Sequence, residues 1–66
     1  MKDLGMYKTV KQETYHCHFD PDNGRALALG PLPATDKAYD LEAQTEDEAL
    51  DKLAEQMGKG VMVEPT

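Results

Sequence analysis

The stretch Thr45–Gly58, TEDEALDKLAEQMG, constrains the fold more tightly than any other part of the chain. Thr45 is a strong N-cap, and Glu48 three residues on completes a capping box, the threonine oxygen accepting the Glu48 N–H while the carboxylate reaches back to the Thr45 N–H. Glu46, Asp47 and Glu48 place negative charge in the first turn, where the helix dipole favours it. Gly58 supplies the residue that ends the helix. Between the caps, Ala49, Leu50, Leu53, Ala54 and Met57 form one apolar stripe, and Asp47, Glu48, Asp51, Lys52 and Glu55 take the other side. A single short helix with one apolar face needs a sheet to lie on.

The rest of the chain supplies strands. Met1–Gly5 shows no periodicity and is expected to fray, with residues 1–6 outside the folded body. Tyr7–Phe19 is strand-like: Tyr15, Cys17 and Phe19 share one parity, Thr14, His16 and His18 the other, and Lys8–Glu13 reads as an exposed start. Asp20-Pro21-Asp22-Asn23-Gly24 is dense turn chemistry and marks a hairpin. The return strand is Arg25–Leu29, with Leu27 and Leu29 assigned to the buried side and Ala26 and Ala28 opposite. Gly30-Pro31-Leu32-Pro33 ends it, because proline cannot donate to a ladder. Ala34–Lys37 is connection. Tyr39, Leu41 and Ala43 then alternate with Asp40, Glu42 and Gln44 before the helix, and Val61-Met62-Val63 after it is a short fourth strand closed by Glu64-Pro65. The expected fold is α+β, in the order β-β-β-α-β. A three-stranded antiparallel meander carries one helix on one face, and the fourth strand lies beside the first and parallel to it, giving the order 3-2-1-4. The uncovered face is expected to carry Thr14, His16, His18, Ala26, Ala28, Asp40, Glu42 and Gln44.

Sixty-six residues make one domain with a small core. No apolar run near the N-terminus has the length of a membrane span or the pattern of a signal peptide, and a lone cysteine, Cys17, precludes an intrachain disulfide; a cytoplasmic protein is the expectation. The formal charge of −6 is uneven: residues 1–19 carry +1 and residues 20–66 carry −7. Such a body argues against phosphate-backbone binding, which needs clustered lysine and arginine, and favours a basic protein partner.

Little in the chain points to catalysis. DPDNG resembles the start of a calcium loop, but its glycine falls at the fifth position instead of the sixth, and Pro31 stands where the bidentate glutamate belongs. His16-Cys17-His18 is the one cluster with metal or nucleophile chemistry. Adjacent strand residues point to opposite faces, so Cys17 is separated from both histidines and a Cys–His dyad is not expected. His16 and His18 share a face, but a metal site needs further ligands, and on this strand arrangement only Asp40 or Glu42 across the sheet is expected to offer one. No glycine-rich phosphate cradle, pair of catalytic acids or triad is present. The sequence therefore assigns no catalytic residue, cofactor or metal, and an enzyme is not expected.

From Tyr15 onward the order of motifs resembles the inhibitory domain of HicB-type antitoxins. The matching residues are Phe19, Pro21, Asp22 and Gly24 at the first turn, Leu32-Pro33 after the second strand, and Thr45, Glu48 and Ala49 at the helix start. The resemblance covers about residues 15–63 and implies a partial RNase-H-like fold that blocks a small basic RNase by direct contact. The connection after Leu32-Pro33 is longer than the family's and lacks its glycine-rich turn. The family's DNA-binding segment has no counterpart here, so operator binding is not implied. Two kinds of function follow. One is an inhibitor of a basic nucleic-acid-handling protein, either an RNase toxin or, in a phage setting, a host defence complex of the CRISPR type, with Asp47, Glu48, Asp51 and Glu55 as the contact surface. The other is a small-molecule or metal-binding module on the open sheet face, or an accessory subunit. Strand four has no charge to discourage pairing, so Val61, Met62 and Val63 are expected to mediate a homodimer.

Overall fold

The computed structural model describes residues 1–63. Five strands and one helix follow in the order β1 (Lys2–Thr9), β2 (Thr14–Asp20), β3 (Arg25–Gly30), β4 (Lys37–Glu42), α1 (Glu46–Met57) and β5 (Gly60–Val63). They form one sheet with strand order β4-β3-β2-β1-β5, and every neighbouring pair is antiparallel. The helix lies over β2, β3 and β4. The class is α+β, as expected, but the topology differs from β-β-β-α-β in one decisive respect.

That respect is the N-terminus. Residues 2–9 are not frayed; they form β1, which pairs with β2 from Lys2↔Phe19 to Lys8↔Thr14. What reads as one strand from Tyr7 to Phe19 is a hairpin. Its turn is closed by Gln12 N–H donating to Thr9 O at 2.8 Å and Thr9 N–H to Glu13 O at 2.8 Å, and Gln12 takes φ 65°. This is the type I turn followed by a left-handed residue that joins strands through three-residue loops. The buried Thr9 hydroxyl adds a third hydrogen bond by accepting the Glu13 N–H at 3.2 Å.

Because β1 occupies the place beside β2, the last strand cannot sit there. β5 pairs with β1 instead, Met6↔Val63 through Thr9↔Gly60, and antiparallel. It still runs in the same direction as β2, since each is antiparallel to β1, but the two are not neighbours. Gly60 begins this strand so close to β1 that an added Cβ would meet Lys8 O and, at 2.7 Å, Thr9 Cα. Two further bonds hold the helix end and the last strand to β1: Tyr7 Oη donates to Gly58 O at 2.7 Å, and Val10 N–H to Lys59 O at 2.9 Å.

The helix forms as its sequence requires. Thr45 is extended (φ −135°) and its hydroxyl accepts the Glu48 N–H at 3.1 Å, while Gly58, at φ 97°, donates its N–H to Ala54 O at 2.8 Å. The reciprocal half of the capping box is replaced: the Glu48 carboxylate pairs with Lys52 Nζ at 3.1 Å, one turn on. Ala49, Leu53 and Met57 are the buried positions, with Leu50 and Ala54 half-buried at the margins.

Beneath the helix the sheet presents Phe19, Cys17, Ala26, Ala28 and Tyr15, all buried, and Ala43 just beyond β4 completes the core. This reverses the side expected for β3. Cys17 pairs with Ala28 and Phe19 with Ala26, so the alanines share the helix side, while Leu27 and Leu29 pair with His18 and His16 on the open side. The reason is clearance. A helix that brings Ala49 and Leu53 down onto β3 leaves room for methyl groups there, not for isobutyl groups. On the same side Tyr15 and Tyr39 meet edge to face, with ring centroids 5.8 Å apart.

Candidate binding surfaces

Two surfaces carry the chemistry. The first is the outer side of α1. Asp47, Asp51 and Glu55 are exposed and recur every fourth residue, in line along the helix. Among the described residues none of the three has a basic side chain in salt-bridge range. Glu48, the fourth residue of the expected contact set, is half-buried and taken up by Lys52, and Glu46 pairs with Lys2 Nζ at 2.9 Å. The helix has no basic residue in its last turn.

The second surface is the open face of the sheet. The pairing register lines up Val63, Met6, His16, Leu29 and Ala38 across all five strands, and beside that row Asp3, His18, Leu27 and Asp40. Met6, His16, His18, Leu27 and Leu29 are half-buried by mutual packing, and Val61 and Val63 are exposed. Arg25 closes one end, its Nε 3.1 Å from Asp40 Oδ1 and its Nη1 3.9 Å from Glu42 Oε1. The expected Thr14, His16, His18, Asp40 and Glu42 belong here; Ala26 and Ala28 do not.

At the centre of this face β1 contributes a residue that sequence reasoning missed. His16 Nε2 lies 2.9 Å from Asp3 Oδ1, and the rings of His16 and His18 are in contact, with centroids 4.1 Å apart. One ligand-type atom from each of Asp3, His16 and His18 falls within 4.8 Å of the others. Asp40 is instead engaged by Arg25 on the far side of Leu27. The Asp3 carboxyl is held below its ordinary value of 3.8, first by the hydrogen bond with His16 and then by the Gly5 N–H, which donates to Oδ1 at 2.8 Å. Burial, and then the charge of His16, lowers His18 from 6.5.

Asp3 reaches the histidines only because the β1–β2 register shifts between Asp3 and Gly5. Counting back from Gly5↔Cys17 without that shift, Leu4 would face His18 and Asp3 would stand opposite Phe19 on the helix side of the sheet. One extra residue turns Asp3 to the open side. Gly5 permits it by taking φ 98°, a conformation costly for any residue with a Cβ. A glycine inside an otherwise strand-compatible run was the available signal of a bulge.

Cys17 lies on the opposite side from both histidines, fully buried, and burial pushes its thiol up to about 11. Val61, Met62 and Val63 form the edge strand β5 and are 66%, 38% and 41% exposed. Glu64 and Pro65, expected to close that strand, lie outside the described residues. The described residues enclose no pocket, and no helix among them is long and apolar enough to cross a membrane. Comparison with protein families, with characterised proteins and with solved structures returns no match.

Proposed function

We propose that this protein is a small protein-binding inhibitor whose acidic helix face engages a basic, nucleic-acid-handling partner. The observation that carries the reading is the exposed row Asp47, Asp51 and Glu55, without basic partners among the described residues. Like charges spaced four apart on a helix destabilise it by about 0.2–0.5 kcal/mol per pair. A row kept at that cost, in a chain of net charge −6, presents a continuous negative strip to solvent. Such a strip steers a basic partner into encounter and rejects acidic ones. The rigid cap at Thr45 and the core contacts of Leu53 hold the strip in one geometry. Recognition by a convex surface suits an occluding blocker, either antitoxin-like against an RNase or a phage-encoded inhibitor of a CRISPR-type defence complex.

The test is a binding panel of small basic RNases and defence-complex subunits, measured at low and high salt, with wild type beside the double variant Asp51→Lys/Glu55→Lys. The expected result is binding that weakens with salt and is slowed several-fold or more by the reversal, with an unchanged melting curve, because exposed charges contribute about 0–1 kcal/mol each to folding. Association unaltered by the reversal at low salt would move the contact surface off the helix. Absence of binding across the panel at every salt concentration would overturn the proposal.

A further inference from the structure

We propose that Asp3, His16 and His18 form a binding site for a divalent transition-metal ion of the zinc class, with three protein ligands and one open coordination position. The inference stands on the open sheet face and does not depend on the acidic helix.

The donor set comes first. Two imidazoles and one carboxylate suit zinc and its neighbours cobalt, nickel and copper. They do not suit calcium or magnesium, which take several oxygens. Three protein ligands with the fourth position left to water is the pattern of open zinc sites.

Geometry comes second. Tetrahedral zinc with bonds near 2.0–2.1 Å holds its ligand atoms about 3.3 Å apart. Here the candidate atoms lie within 4.8 Å, and one pair, His16 Nε2 and Asp3 Oδ1, is already at 2.9 Å. The three side chains are exposed or half-buried, so χ rotation is open to each of them. The histidines are two residues apart on β2, so the strand itself sets them side by side on one face, their rings 4.1 Å apart.

The bulge is the third observation, and the most specific. A regular ladder would have turned Asp3 to the helix side of the sheet, opposite Phe19, away from the histidines; the shifted register, made possible by Gly5 at φ 98°, delivers it to them. Bulges recur where a side chain has to be re-aimed beside a site. The same glycine donates its N–H to Asp3 Oδ1 at 2.8 Å, orienting the carboxylate as outer contacts do for metal ligands. Half-buried Met6 and Leu27 flank the cluster and limit the access of water.

The experiment uses the tag-free 66-residue protein, titrated with zinc chloride by calorimetry and with cobalt(II) by visible absorption. The wild type is expected to bind one equivalent and to give the absorption of a low-symmetry cobalt site, and both histidine ring signals should move together in proton NMR. Asp3→Asn, His16→Ala and His18→Ala should each weaken binding by about tenfold or more. Asp40→Asn, on the same face but paired with Arg25, should leave it unchanged. No saturable zinc binding would overturn the site, as would binding that survives loss of both histidines. Binding as tight in Asp3→Asn as in wild type would reduce it to a histidine pair and refute the three-ligand assignment. Should a histidine variant melt early, the ring signals of the wild type still decide: histidine signals that stay fixed through the zinc titration refute the site.

Discussion

Leu53→Ala removes the one large side chain that the helix inserts into the centre of the core. Leu53 is 0% exposed, and its buried neighbours include Ala26, Ala28, Ala43 and Ala49, each also 0% exposed. Truncating a buried leucine costs about 2–5 kcal/mol, the spread reflecting how far the surroundings collapse into the space. Alanines have no side-chain freedom with which to fill it, and the sheet beneath is hydrogen-bonded on both sides of β3, so the cost should fall in the upper half, about 4 kcal/mol. A domain of this length is expected to have about 3–10 kcal/mol in total. The substitution should therefore consume much of the stability and lower Tm by on the order of 20 °C. Urea unfolding followed by circular dichroism at the helix band reads both quantities. Leu53→Asp, which adds an unpaired buried carboxylate, should leave no folded protein. A Leu53→Ala cost below about 1 kcal/mol with an unchanged denaturant slope would refute the assignment of this helix face.

Two further outcomes are expected. The Cys17 thiol, fully buried and pushed up to about 11, should resist a disulfide reagent at pH 8 and react fully in denaturant; rapid native-state labelling would place it at the surface. Self-association is proposed at β5, an uncharged edge strand whose Val61, Met62 and Val63 face solvent. Light scattering should show a dimer that Met62→Lys dissociates, and a monomer mass persisting at high concentration would refute it.

The parts of the fold legible in the sequence are those in which a residue type has one physical use. Thr45 before an acidic turn, Gly58 after Met57 and the DPDNG turn each specify local geometry, and each does so here; at the turn, Asp20 Oδ1 accepts the Asp22 N–H at 3.1 Å and Gly24 takes φ 63°. The β1–β2 turn was illegible because its left-handed residue is Gln12, where glycine, asparagine or aspartate would have announced it. The buried side of β3 is not legible, because ArgAlaLeuAlaLeuGly is apolar at both parities. Which parity is buried then depends on how closely the helix approaches, which is a property of the packed layers and not of the strand. The histidine pair could be read from its spacing, but its third partner lies across a bulge, and a one-residue slip carries no periodic signature.

β1 is the element on which fold and site both turn. Its first half brings Lys2 to Glu46 at the start of the helix and Asp3 to the histidines; its second half brings the Tyr7 hydroxyl to Gly58 at the helix end and gives β5 an edge to pair with. The helix itself covers β2, β3 and β4, so β5 is held by β1 alone within the sheet. Two demands on β1 conflict. Packing on the helix side requires Tyr7 and Thr9 to point inward, and with strict alternation that would send Asp3 inward as well. The bulge at Gly5 resolves the conflict by letting one strand obey the core at its C-terminal half and the open face at its N-terminal half. Lys2 then takes the helix-side place opposite Phe19, exposed and paired with Glu46, while Asp3 faces the histidines. The irregularity that hid β1 from sequence reasoning is the one that places Asp3 beside His16 and His18.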